Sequence, residues 1–142
     1  MGFITWDPQD WRAASAGEEG AWRYDSEEKR SSVFISVLPA RVPRDRLLEV
    51  ATTFADKRRD AELRTRSDRS IRFGDSWVEP TNDGEAGYIA YAGHDDHTVF
   101  RVMGWITQAK ILSLTVETET RDSSFARAVA DEVLDGFRPY LP

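Results

Sequence analysis

The sequence contains no cysteine. That excludes disulfide staples, thiolate zinc sites, a cysteine nucleophile and a lipid-modified cysteine anchor. No apolar run approaches the ~18 residues that a membrane-spanning helix requires. The opening Met1-Gly2-Phe3-Ile4-Thr5-Trp6-Asp7-Pro8 has neither the basic segment nor the apolar core of a signal peptide. Trp6 stands where N-myristoylation wants Ser or Thr, and a cytoplasmic location is expected. Also missing are the Gly-x-Ser-x-Gly elbow and the Gly-x-x-x-x-Gly-Lys and Gly-x-Gly-x-x-Gly loops. Serine hydrolysis and the common routes to nucleotide binding are therefore excluded. Among 25 acids no pair sits in apolar surroundings that would raise a pKa. No enzymatic activity is expected and no cofactor is assigned.

What is present suits a single globular domain over residues 1–142. A chain of this length buries roughly two-thirds of its unfolded surface. Hydrophobic residues make up 40% and charged residues 31%, too apolar for disorder. Five Trp, seven Phe and four Tyr supply large core side chains. The net charge of −6 conceals an asymmetry: residues 57–72 sum to +4, whereas residues 73–142 carry twelve acids against five bases. Overall acidity argues against nucleic-acid binding, which depends on neutralising phosphate.

The chain alternates strand and turn signals. Short strands are expected at Ile4-Thr5-Trp6, Trp11-Arg12-Ala13-Ala14 and Trp22-Arg23-Tyr24. The β-branched run Val33-Phe34-Ile35-Ser36-Val37-Leu38, stopped by Pro39, reads as a central strand. Pro43 fits the first position of a helix running to about Arg59, with Leu47, Val50, Ala51, Phe54 and Ala55 as its apolar stripe. A strand over residues 61–66 follows, then one on which Ile71, Phe73 and Trp77 share a face. Asn82-Asp83-Gly84 is a hairpin turn by composition. Residues 99–106 are apolar on both faces, so both are expected to be covered. The next strand is half-buried, with Leu112, Leu114 and Val116 opposite Ser113, Thr115 and Glu117. A closing helix carries Phe125, Val129, Val133 and Phe137 at i, i+4, capped by Asp122 or Ser123. The fold class is therefore α+β, a central antiparallel sheet flanked by two main helices.

Three constellations invite a functional reading. Gly93-His94-Asp95-Asp96-His97 holds both histidines with two carboxylates between them. Imidazole and carboxylate suit Zn, Fe or Ni, but Gly-x-Asp-Asp is equally ordinary turn chemistry. With no third ligand evident, no metal is assigned and His94 and His97 stand as the candidate pair. The basic run over residues 57–72 fits phosphate or an acidic partner, or a solvated helix end whose cations oppose the dipole. Trp6, Trp11 and Trp22 crowd the first 22 residues. They either roof the core or, with Arg12 and Arg23, form a recognition surface, the preferred place for a protein partner.

Several of these features together resemble the PsbP/DcrB-like superfamily. They are the early Pro8-Gln9-Asp10-Trp11, the strand Val33-Phe34-Ile35-Ser36-Val37 before the long helix, the late strand Ile111-Leu112-Ser113-Leu114-Thr115-Val116, and the helix ending in Gly136-Phe137-Arg138-Pro139. The resemblance implies a sandwich of antiparallel sheet and flanking helices. Its members are mostly non-enzymatic: extrinsic photosystem subunits, a Ran-binding transport factor, bacterial lipoproteins and Eag-type chaperones of secreted effectors. It implies a binding module with no catalytic residue to carry over.

The leading expectation is thus a cytoplasmic, non-enzymatic protein-binding module, a chaperone or adaptor, whose partner and oligomeric state (a homodimer included) stay open. The alternative is an immunity or inhibitor protein that neutralises a toxin through acids clustered on one face: Asp75, Glu79, Asp83, Glu85, Asp95 and Asp96. A metal-dependent enzyme using His94 and His97 is the outsider.

Overall fold

The computed structural model describes residues 11–15, 17, 19–65, 71–120 and 122–136. Among the described residues seven strands form one sheet: β1 (Arg12–Ala14), β2 (Ala21–Ser26), β3 (Ser31–Pro39), β4 (Arg72–Pro80), β5 (Gly87–His94), β6 (Val99–Ile106) and β7 (Lys110–Thr118). Their spatial order is β1-β2-β3-β7-β6-β5-β4, and every neighbouring pair is antiparallel. The expected central position of the Val33–Leu38 segment holds, since β3 lies between β2 and β7.

The long helix α1 (Leu47–Thr65) follows a 3-10 turn at Arg44–Arg46. Pro43 therefore sits one turn earlier than expected, and its carbonyl accepts the Arg46 amide at 2.9 Å. The strand expected over residues 61–66 is instead the last part of α1. Nothing after Arg59 breaks a helix, and Asp60, Ala61, Glu62, Leu63 and Arg64 all extend one readily or tolerably. Leu63, the only large apolar residue there, is left 49% exposed. The apolar stripe behaves as its spacing requires: Leu47, Ala51 and Ala55 are buried, with Val50 and Phe54 packed beside them.

Helix α2 (Ser123–Gly136) is capped by Asp122, whose Oδ1 accepts the amides of Ser124 and Phe125 at 2.9 and 3.2 Å. Val129 and Val133 bury against Leu112, Leu114, Val116 and Met103. The helices take opposite faces of the sheet. α2 packs on β6 and β7, while α1 packs on β4, β5 and β6. Phe100, Val102 and Ile106 of β6 thus face the α1 side and Met103 the α2 side, the two-sided burial expected of that strand.

β7 departs from its half-buried pattern. Ser113 and Thr115 are buried as well. Their hydroxyls have partners, Ser36 at 2.6 Å and the Arg58 guanidinium at 3.2 Å, which makes that burial tolerable. Among the described residues no helix is long and apolar enough to cross a membrane.

α1 lies close enough to β5 that Gly87 has no room for a side chain. A Cβ there would stand 2.9 Å from the Leu47 carbonyl oxygen and 3.1 Å from the Ala51 Cβ. Gly87→Ala is expected to lower unfolding free energy by about 1–3 kcal/mol through overpacking. Urea denaturation reads this directly, and an unchanged midpoint would show that α1 is not seated as described.

Candidate functional site

The N-terminal tryptophans come first. Trp11 and Trp22 are half-buried and pack, with Tyr24, on the α2-side core. They roof that core. Trp6 lies outside the described residues. Strand alternation sends the neighbouring arginines to the opposite side, for Arg12 pairs across the strands with Asp25, and Arg23 with Phe34. Arg23 lies over the Phe34 ring at 5.2 Å and its Nε donates to Asp25 Oδ1 at 3.0 Å. Arg12 reaches Glu27 at 3.8 Å in an exposed pair. The tryptophans and arginines therefore do not make one surface, because a sheet separates residues of odd and even spacing.

The histidine loop is a turn. Asp95 is buried, and its Oδ1 accepts the amides of His97 at 2.7 Å and Thr98 at 2.8 Å. Its own amide donates to the Thr98 carbonyl at 2.9 Å, closing the β5–β6 connection. The carboxylate between the two histidines thus accepts two backbone hydrogen bonds. Among the described residues no group of three or more His, Cys, Asp or Glu is arranged to hold a metal. His97 instead lines an open cleft of about 500 Å³ at the strand ends, with Asp25, Glu27, Arg30, Glu117 and Glu119.

The six acids of the inhibitor expectation fall in three places: Asp75 and Glu79 on β4, the other four in loops at the two ends of β5. Asp83 and Glu85 sit in the β4–β5 hairpin, Asp95 and Asp96 in the β5–β6 turn. The eight residues of β5 lie between these loops, about 25 Å of extended chain. Glu85 is paired with Arg44 at 3.0 Å. No single acidic face results. The basic run is likewise divided. Arg58 is drawn to Thr115, and Arg59 bridges Asp56 at 2.6 Å and Ser76 at 3.1 Å, fixing α1 to β4. Arg66 and Arg69 lie outside the described residues.

The strand expected to carry Phe73 and Trp77 is β4, but the sequence did not reveal its bulge or its exposed edge. It is the far edge of the sheet, and eight of its nine residues are exposed. Trp77, expected on one face with Ile71 and Phe73, is 46% exposed, and Val78 is 36% exposed. A register shift between Phe73 and Ser76 explains the difference. Phe73 lies opposite Gly93 and packs at the Tyr91–Phe100 cluster on the α1 side. Past the bulge, Trp77 lies opposite Ala90, which belongs to the α2-side core. One extra residue has turned the indole onto the other face, beyond the reach of α2. Gly74-Asp75 inside a strand was the available signal.

On this outer part of the α2 face stand Trp77, Tyr88 and Trp105, the last two with ring centroids 5.5 Å apart. Burial pushes the Tyr88 phenol above its ordinary value; the Arg101 charge opposes this and the Glu79 charge adds to it. Those groups are therefore neighbours. Arg101 also meets Asp131 of α2 at 3.2 Å. Such an edge offers unpaired backbone groups, an aromatic anchor and charge.

A solution structure of cyanobacterial PsbP (CyanoP) from Synechocystis sp. PCC 6803 is similar to this chain. The TM-score is 0.64 at 11% identity, over 94% of this chain and 84% of that one. The fold is thus PsbP-like. A crystal structure from Bacteroides thetaiotaomicron VPI-5482 matches at TM-score 0.47 and 11% identity, covering 99% of this chain and 46% of the other. No protein-family model and no curated protein matches the sequence.

At the β1–β2 edge, burial alone would raise the Asp25 carboxyl, but hydrogen bonds from Ser32 and Arg23 outweigh it and hold the group below its ordinary value. A depressed folded-state value stabilises the fold above the unfolded-state pKa, and that contribution is lost as pH falls through the folded one. Asp25→Asn should therefore be less stable than the wild type at pH 7, with the gap closing as pH falls below about 4. Urea unfolding of both proteins across that range is the check. A gap that stays constant down to pH 2 would contradict it.

Proposed function

We propose that this chain is a non-enzymatic, cytoplasmic protein-binding module, a chaperone or adaptor, that receives an extended segment of its partner along β4. The single observation carrying this reading is the long exposed edge with Trp77 on it. Natural sheets keep edges short, covered, bulged or charged to avoid pairing; β4 carries charge and a bulge but is neither short nor covered. β1 at the opposite edge spans three residues, whereas β4 spans nine. An extended peptide adds to such an edge through main-chain hydrogen bonds, and alternate side chains supply specificity. Tryptophan is among the residues that most often dominate binding energy.

The PsbP-like fold supports this reading through the superfamily that the sequence resembles, whose Eag-type members are chaperones. In this reading the partner surface is β4 rather than Trp11 and Trp22, which pack on the core. An inhibitor acting through one acidic face is the weaker alternative, because its acids are divided between β4 and loops at the two ends of β5.

Trp77→Ser should weaken partner binding by about thirtyfold, the scale of a hot-spot truncation, and leave stability near wild type because the indole is already half-exposed. Trp22→Ser should do the reverse, costing about 2 kcal/mol or more of stability. The partner, captured from native cells with the tagged protein and then purified, provides the affinity measurement. Wild-type affinity in Trp77→Ser would overturn the assignment of β4.

A further inference from the structure

The charges around Trp77 define the chemistry of the segment that β4 receives. Beyond the bulge, alternate residues share a face, so Glu79, opposite Tyr88, stands about 7 Å from Trp77 on the indole's side. On the other flank, Asp75 and Trp77 line one small cavity with Ala90, Ala92, Arg101 and Met103. The anchor is therefore bracketed by two carboxylates. The one cation lining that cavity, Arg101, is already matched by Asp131. A partner strand paired antiparallel with β4 sets residues two positions either side of its centre against Asp75 and Glu79.

The cavity measures about 50 Å³. Its lining comes from β5 and β6 as well as β4, on the side of β4 away from an added strand, so a partner strand does not fill it. A second copy of the chain fits poorly. The self-pairing centred on Trp77 would set Asp75 of each copy against Glu79 of the other, two pairs of like charge directly opposed across strands.

We propose that β4 selects an extended segment of the pattern basic-x-x-x-basic: Lys or Arg two positions either side of the residue opposite Trp77, against Asp75 and Glu79. This inference rests on β4 being the docking edge and adds the partner's charge pattern to it.

The test uses the whole protein, isotopically labelled, and two blocked synthetic peptides: Thr-Lys-Thr-Val-Thr-Lys-Thr and its counterpart with Glu in place of Lys. Backbone amide shifts mapped onto β4 report binding, and titration gives affinity. The lysine peptide is expected to bind about tenfold tighter at low salt, from two cross-strand charge pairs changing sign. That advantage should shrink at high salt and vanish in the Asp75→Asn/Glu79→Gln double variant. Equal affinities, with β4 amides shifting for both peptides, would overturn the charge pattern while leaving β4 as the docking edge. No β4 shifts with either peptide would overturn the docking edge as well. Concentration-dependent β4 shifts in the protein alone, with a dimer in sedimentation, would overturn the proposal in favour of a second copy as occupant.

Discussion

The structure depends on the nine-residue antiparallel ladder between β3 and β7, from Ser31 opposite Thr118 to Pro39 opposite Lys110. It ties the N-terminal hairpin to the C-terminal meander across some 70 to 90 residues of sequence, a closure whose entropy must be offset by what the pairing buries. Val33, Ile35, Leu112, Leu114 and Val116 lie along one face of it and are buried. The ladder also sets parity for the sheet, because each further strand inherits its faces from the register with its neighbour. Ser31 and Thr118, hydroxyl to hydroxyl at 2.9 Å, and Ser36 with Ser113 place satisfied polar pairs on opposite faces of the same ladder.

Parity decides the fate of the aromatic residues. Trp11 and Trp22 fall on the face that α2 helps to cover and become core. Trp77 would have joined Phe73 on the α1 side but for one inserted residue in β4. The bulge transfers it to the opposite face at a point that α2, packed over β6 and β7, does not reach. An exposed indole on a sheet edge is costly to solubility, since unpaired edges template association. Asp75 and Glu79 beside it serve as gatekeepers against indiscriminate pairing. The charges that would oppose self-pairing of this edge are the ones that would choose a basic partner.

The two helices leave unequal margins. α1 is pinned to the sheet by polar contacts as well as apolar ones, Arg58 to Thr115 and Arg59 to Ser76, so the basic run that looked like a recognition patch is partly structural. The His94–His97 loop resolves likewise, its buried aspartate organising backbone amides. Both segments carry striking charge in the linear sequence only because turns and helix ends are where charge is easiest to solvate.

Apolar periodicity by itself determined the α+β class, the central position of Val33 to Leu38 and the stripe of Leu47, Ala51 and Ala55, while local cap chemistry narrowed the α2 cap to Asp122 or Ser123. Each depends on residues near one another in the chain, where spacing maps directly onto faces. Tertiary structure decided the rest. Residues 61–65 are helical because no local breaker ends α1 and the sheet needs no strand from them. Ser113 and Thr115 are buried because distant side chains satisfy their hydroxyls. Trp77 rather than Trp11 or Trp22 is left exposed because exposure depends on strand order and on a bulge. Neither is written in hydrophobic period, since both are fixed by pairing with residues far along the chain.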